Sequence, residues 1–271
     1  MDKKYLKLIP IIVLFVIILG LAYWYIQNRK FYPSTDDAYV QANLVNIAAQ
    51  VTGPIDQIQV QDHQFVKQGQ LLFTILPTNY QAALEQATAQ EIQAVNNAKR
   101  IMSLVKNGHV SKSDADAAQE QLEVAEAALT EAKLNLGFTN VTAPADGYVT
   151  NFTLRVGSTV TPGIALFSII ENNQWWVDAN YKETQLERIQ PGQAATIYLD
   201  MYSNHKFIGH VDQISAGSGA VFSLLPPENA TGNWVKVTQR FPVKVLIDNP
   251  DINFPLRMGA SATVTIDTTS K

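Results

Sequence analysis

Two stretches of this chain carry one small β-unit written twice. The first reads Gly53-x-Ile55-x-x-Ile58-x-Val60, then Val66-x-x-Gly69-x-x-Leu72-Phe73-x-Ile75. The second reads Gly147-x-Val149-x-x-Phe152-x-Leu154, then Val160-x-x-Gly163-x-x-Leu166-Phe167-x-Ile169, and it aligns with the first without a gap. Alternating apolar residues predict strands with one buried face, and the glycines mark the turns between them. A few short strands cannot bury a core alone, so the copies are expected to pack face to face.

The region between the copies reads as helix. Pro77 closes the first copy, and Thr78 or Asn79 is placed to cap a helix from Tyr80 onward. Tyr80, Leu84, Ala87, Ala94, Ala98, Ile101 and Val105 recur at spacings of 3 and 4, interrupted at Glu91. Gly108 ends this helix, and Ser111 or Ser113 caps the next. There the seam is unbroken: Ala115, Ala118, Leu122, Ala125, Leu129, Ala132 and Leu136. Two helices of about 25 residues joined by a short turn predict an antiparallel coiled-coil hairpin roughly 35 to 40 Å long.

The N-terminus carries a different signal. No charged residue falls between Leu8 and Asn28, a run that spans about 30 Å as a helix. Lys3, Lys4 and Lys7 precede it and favour a cytoplasmic N-terminus, while Trp24 and Tyr25 stand where an interfacial aromatic belt belongs. A cleaved signal peptide would have a shorter apolar core followed by small residues. The expectation is an uncleaved single-pass anchor that places residues 31–271 outside the cytoplasm. A net charge of −4 argues against a nucleic-acid partner. With no cysteine, disulfides and thiolate metal sites are excluded.

Beyond the second copy, Trp176-Val177-x-Ala179-x-Tyr181, Ala195-x-Ile197-x-Leu199, Phe207-Ile208, Val211-x-x-Ile214, Val243-x-Val245-x-Ile247 and Ala262-x-Val264-x-Ile266 read as strands, with one short helix over Glu183–Ile189. A small β-barrel is predicted. Residues 217–240 interrupt it with Gly, Pro and the apolar Phe222, Leu224, Leu225 and Trp234. Those four either cover a barrel edge or contact a partner or a neighbouring copy.

Together the lead-in Thr35-Asp36-Asp37-Ala38-Tyr39-Val40, the split β-unit, the phrase Ala143-Pro144-Ala145-Asp146-Gly147-Tyr148-Val149 and the run Asn229 to Val243 resemble the HlyD family of periplasmic adaptors, or membrane fusion proteins, and within it the EmrA type. The resemblance implies an adaptor linking an inner-membrane transporter, of major-facilitator type, to a TolC-like outer-membrane channel for efflux of drugs or other small molecules. It also implies a homo-oligomer, commonly a hexamer. An ABC or type I export system is the alternative. The implied fold is mainly β with a helical hairpin. Residues 1–30 would hold the cytoplasmic stub and transmembrane anchor, 31–49 a lead-in strand, 50–76 and 141–170 a split lipoyl-like domain (a barrel-sandwich hybrid), 77–140 the hairpin and 171–271 the barrel. EmrA-type hairpins are usually longer than this one.

Arg100-x-x-x-Leu104, then Ser111, looks like the Arg-Leu-Ser signature with which such hairpins engage TolC-like channels. Arg100 and Leu104 share a helix face beside the seam. Two readings of Leu104 stand: a partner anchor, or packing over the end of the hairpin. A lipoyl or biotinyl carrier would need a modified lysine on the turn joining the two halves. That turn is replaced here by the hairpin, and Lys67 lies inside the first half. His63, His109, His205 and His210 have no metal-ligand spacing, and nothing pairs a nucleophile with a base. No enzyme, cofactor or metal site is expected.

Overall fold

The computed structural model describes residues 15, 17, 18, 20, 30–106, 110–222, 237–248, 250, 251 and 253–269. It divides into two units, residues 44–173 and residues 1–43 with 174–271.

In the first unit the duplicated sequence becomes an exchange of strands. The first copy supplies β2 (Gly53–Ile58), β3 (Phe65–Val66) and β4 (Leu71–Ile75); the second supplies β6 (Gly147–Thr150), β7 (Thr159–Val160) and the start of β8 (Ala165–Lys182). With β5 (Asn140–Thr142), one sheet runs β5-β4-β2-β7; the other runs β3-β6-β8 and continues to β1 (Ser34–Ala48). Each sheet therefore takes strands from both copies. Gly53 pairs with Val160, and its counterpart Gly147 pairs with Val66. The turns repeat the exchange: His63 N–H donates to Val149 O at 3.0 Å and Gly157 N–H to Ile55 O at 2.8 Å. Gly69 and Gly163 hold matching φ values of 79° and 81°, in the left-handed region that glycine enters freely. The exchange between the halves is reciprocal. Neither half can close its core without the other, and Ile55, Leu72, Phe73, Ile75, Val149, Phe167 and Ile169 are all buried between them. Each such side chain contributes about 1.5–3 kcal/mol.

The helices between the copies are α1 (Thr78–Lys106) and α2 (Lys112–Gly137). They pack along the predicted seam, where Ala87, Ala94, Ala98 and Ala118 are buried. Small side chains there allow close approach of the helices. The hairpin's two roots continue from β4 and β5, which are hydrogen-bonded neighbours (Phe73 opposite Val141). Tyr80 Oη, in the first turn of α1, donates to Thr52 O at 2.7 Å.

In the second unit the lead-in stretch forms β1, whose first half pairs with β12 (Ser261–Ile266). With β9 (Ala194–Leu199), β10 (Lys206–Ile214) and β11 (Arg240–Ile247), the order is β1-β12-β9-β10-β11-β8, and a β1–β8 pairing closes the ring. Its interior holds Val40, Val177, Ile197, Leu199, Val264 and Ile266. Tyr181 is buried there too, and its hydroxyl donates to Val264 O at 2.8 Å. Burial pushes the Tyr181 phenol far above the ordinary tyrosine range. Residues Glu183–Arg188 form a 3-10 helix.

Candidate functional site

The hairpin tip is shaped by a local hydrogen-bond device. Ser111 keeps an extended backbone (φ −72°, ψ 157°) and caps α2. Its Oγ accepts from Asp114 N at 3.2 Å and donates to Asp114 Oδ2 at 2.7 Å, while Ser111 N donates to the same carboxylate at 3.3 Å. This is a capping box closed by aspartate, and it places a negative charge at the positive end of the helix dipole. The one hydroxyl proton of Ser111 is thereby used inside the tip.

Across the turn, the last coils of α1 carry Arg100 and Leu104 on one face. Arg100 is exposed, and its Nη2 donates to Asn97 Oδ1 at 2.8 Å. Four further guanidinium N–H groups suit a carbonyl or carboxylate on a partner. Leu104 is half-buried at the end of the seam, and Ser103 Oγ donates to Arg100 O at 2.7 Å. The tip therefore combines an exposed cation, a half-covered leucine and a serine that fixes the path of the chain.

The backbone of Phe222 ends a 3-10 helix, Gly219–Phe222. Leu224, Leu225 and Trp234 lie outside the described residues, as do Leu8, Trp24 and Tyr25 of the expected anchor. Among the described residues no helix is long and apolar enough to cross a membrane. None of their His, Asp or Glu residues form a group of three or more that could hold a metal ion.

One polar cluster was not foreseen. Arg240 Nη1 donates to Asp37 Oδ2 at 2.9 Å, Asn180 Nδ2 donates to Asp37 Oδ1 at 3.2 Å, and Thr35 Oγ1 donates to Asn180 O at 2.9 Å. It ties β1, β8 and β11 together. Asp37 and Arg240, far apart in the sequence, form one ion pair. On the same sheet, burial raises the Asp178 carboxyl despite a hydrogen bond from Trp176 and the charge of Lys244.

Comparison with known proteins places these features. Residues 43–172 match the model described as RND MFP, barrel-sandwich hybrid domain, and residues 174–267 match the AAEA-like beta-barrel domain. The multidrug export protein EmrA of Haemophilus influenzae (strain ATCC 51907 / DSM 11121 / KW20 / Rd) is 33% identical, over 98% of this chain and 84% of the relative. EmrA of Escherichia coli (strain K12) is 31% identical, over 92% and 80%. In fold, the chain is similar to the crystal structure of a MacA–MexA chimera carrying the Pseudomonas aeruginosa MexA α-hairpin domain. That match has a TM-score of 0.73 and 22% identity, and it covers 88% of this chain and 82% of the chimera. A split β-module with a helical insertion, a following barrel and relatives above 30% identity over at least four-fifths of their length lead to one conclusion: the chain belongs to the membrane fusion proteins, the periplasmic adaptor family, and is an adaptor of the EmrA type rather than an enzyme.

Proposed function

We propose that this chain is the adaptor of a tripartite efflux assembly that exports drugs or other small molecules. Its N-terminal apolar run anchors it in the inner membrane beside a transporter of the major-facilitator type, with residues 31–271 in the periplasm. Its hairpin tip engages a TolC-like outer-membrane channel, and copies of the chain associate around the conduit as a homo-oligomer, six by resemblance. Relatives named as multidrug export proteins support the transport class.

The observation that carries the docking role is the division of labour at the tip. A half-buried Leu104 one turn from an exposed Arg100 offers an apolar anchor with a charged neighbour. The capped start of α2 holds the facing surface in one shape. Phe222, Leu224, Leu225 and Trp234 are proposed as a second contact, toward the transporter or a neighbouring copy.

Leu104→Asp tests the assignment. A charge on a half-buried end position leaves the seam below it intact, so the melting temperature should hold while drug efflux from cells is lost. Retained efflux in that variant refutes the docking role. Co-purification of a major-facilitator transporter, rather than an ATP-driven one, tests the identity of the pump.

A further inference from the structure

The barrel end at which the chain enters β1 gathers cations. Ser34 stands opposite Thr265, and Lys182 opposite Arg240, so the start of β1, the end of β8 and the start of β11 meet there. Two clefts open at this end and share Gln185. One, of about 320 Å³, is lined by Lys182 and Arg240 with Asp36; the other, of about 350 Å³, by Lys30 and Arg188 with Glu187. The lining of each holds two cations and one carboxylate, and Asp37 adds a second carboxylate beside the first cleft. Arg240 is partly engaged by Asp37. The Arg188 guanidinium lies over the Phe31 ring, its Cζ 4.6 Å from the centroid.

The same end is held close to where the chain leaves the apolar run. Phe31 O accepts from Thr268 N at 3.0 Å and from Thr268 Oγ1 at 2.8 Å, which fixes the entry point on the barrel. Lys30 comes two residues after the run from Leu8 to Asn28. At no more than about 3.6 Å per residue, an anchor ending at Asn28 keeps these clefts within roughly 10–15 Å of the headgroup layer. Tyr32, 40% exposed at this end, is a residue suited to that layer.

We propose that the two clefts seat the phosphates of anionic phospholipid headgroups, so that the barrel end rests on the membrane surface instead of swinging from its tether. The lipid is favoured over a protein partner by the short tether and by the second cleft, where Lys30 and Arg188 outnumber Glu187, with Lys182 beside it. The proposal rests on the N-terminal run being a membrane anchor.

The test uses the full chain in nanodiscs of phosphatidylcholine alone and of phosphatidylcholine with phosphatidylglycerol, read by hydrogen exchange over residues 182–189. Exchange should slow in the anionic discs by about fivefold for each cation engaged. Lys182→Gln with Arg188→Gln should abolish the difference, while Lys99→Glu on the hairpin leaves it intact. Equal exchange in the two disc types overturns the proposal. So does equal protection by inorganic phosphate in neutral discs, which would mark a free-anion site, or protection that arises only when the transporter is added. A chain that leaves both disc types overturns the anchor itself, and the proposal with it, and is distinguished by the loss of protein from the discs.

Discussion

Ser111 has two possible roles at the tip, and they make different predictions. Its hydroxyl accepts from Asp114 N and donates to the Asp114 carboxylate. Removing an N-cap of this kind costs about 1 kcal/mol, and the loss falls on the first turn of α2. That turn is at the exposed end of the hairpin, so it opens locally, without unfolding the β-core. Ser111→Ala should therefore raise amide exchange at Asp114 and Ala115 by about fivefold and leave the melting temperature nearly unchanged. Ser111→Asn keeps a capping oxygen and should restore native exchange. If Ser111 acts by shaping the tip, efflux should track exchange: reduced in the alanine variant, near native with asparagine. Unchanged exchange in Ser111→Ala refutes the cap as an energetic element. Native exchange with lost efflux in Ser111→Asn refutes the shaping argument and assigns the hydroxyl to the channel contact.

Two further substitutions test the packing. A Cβ at Gly147 would lie 2.2 Å from Ile170 O and 2.7 Å from Ile169 Cγ2, whereas at the equivalent Gly53 it meets only Ile75 Cγ2, at 2.6 Å. A backbone carbonyl in a paired strand cannot step aside, so Gly147→Ala should cost about 3 kcal/mol and Gly53→Ala about 1–2, measured by urea unfolding; equal losses would contradict the geometry. Tyr181→Phe leaves the buried Val264 carbonyl without its hydroxyl donor and should cost about 1–3 kcal/mol with the barrel still folded, and a loss near zero would mean that water or another donor replaces it.

The sequence was most readable where local periodicity and fold agree. Of the seam alanines predicted for the helices, Ala87, Ala94, Ala98 and Ala118 are buried and Ala115, Ala125 and Ala132 half-buried, and Glu91 is half-buried at its seam position. Gly69 and Gly163 sit at the matching left-handed turns. The pairing of the strands was not readable, because Gly53 with Val160 and Val66 with Gly147 are long-range choices that the repeat permits but does not select. His63 hid a turn: it takes φ 63° where the second copy has Gly157 at 86°, so residue type alone gave no cue. The Arg240–Asp37 pair was hidden for a similar reason. Its members are 203 residues apart, and each lies in a phrase that is simply polar when read alone. At the tip, the helix face shared by Arg100 and Leu104 could be read from spacing, but the carboxylate that engages Ser111 emerged only with the geometry of the cap.

The split module also changes what the hairpin can transmit. In a carrier fold the junction between halves is a tight turn; here it is replaced by two helices whose roots continue from paired strands. At 29 residues α1 is about 43 Å long, so a tilt of 10° at the root displaces the tip by about 7 Å, more than a leucine anchor tolerates. The docking proposed at Leu104 therefore depends on stiffness at the base. That stiffness comes from the β4–β5 ladder, from Ile75 N donating to Thr139 O at 2.8 Å, and from Tyr80 Oη on Thr52 O at 2.7 Å. Of these, only the tyrosine bond can be removed without disturbing a strand. Tyr80→Phe should cost no more than about 1 kcal/mol in overall stability. It should nevertheless broaden the distance distribution between spin labels at Asp56 and Lys112, which are simple to place in a chain without cysteine. Efflux should fall although the tip itself is untouched. A distribution as narrow as that of the unmodified hairpin would show that the ladder alone sets the angle, and that the base needs no brace from the loop at Thr52.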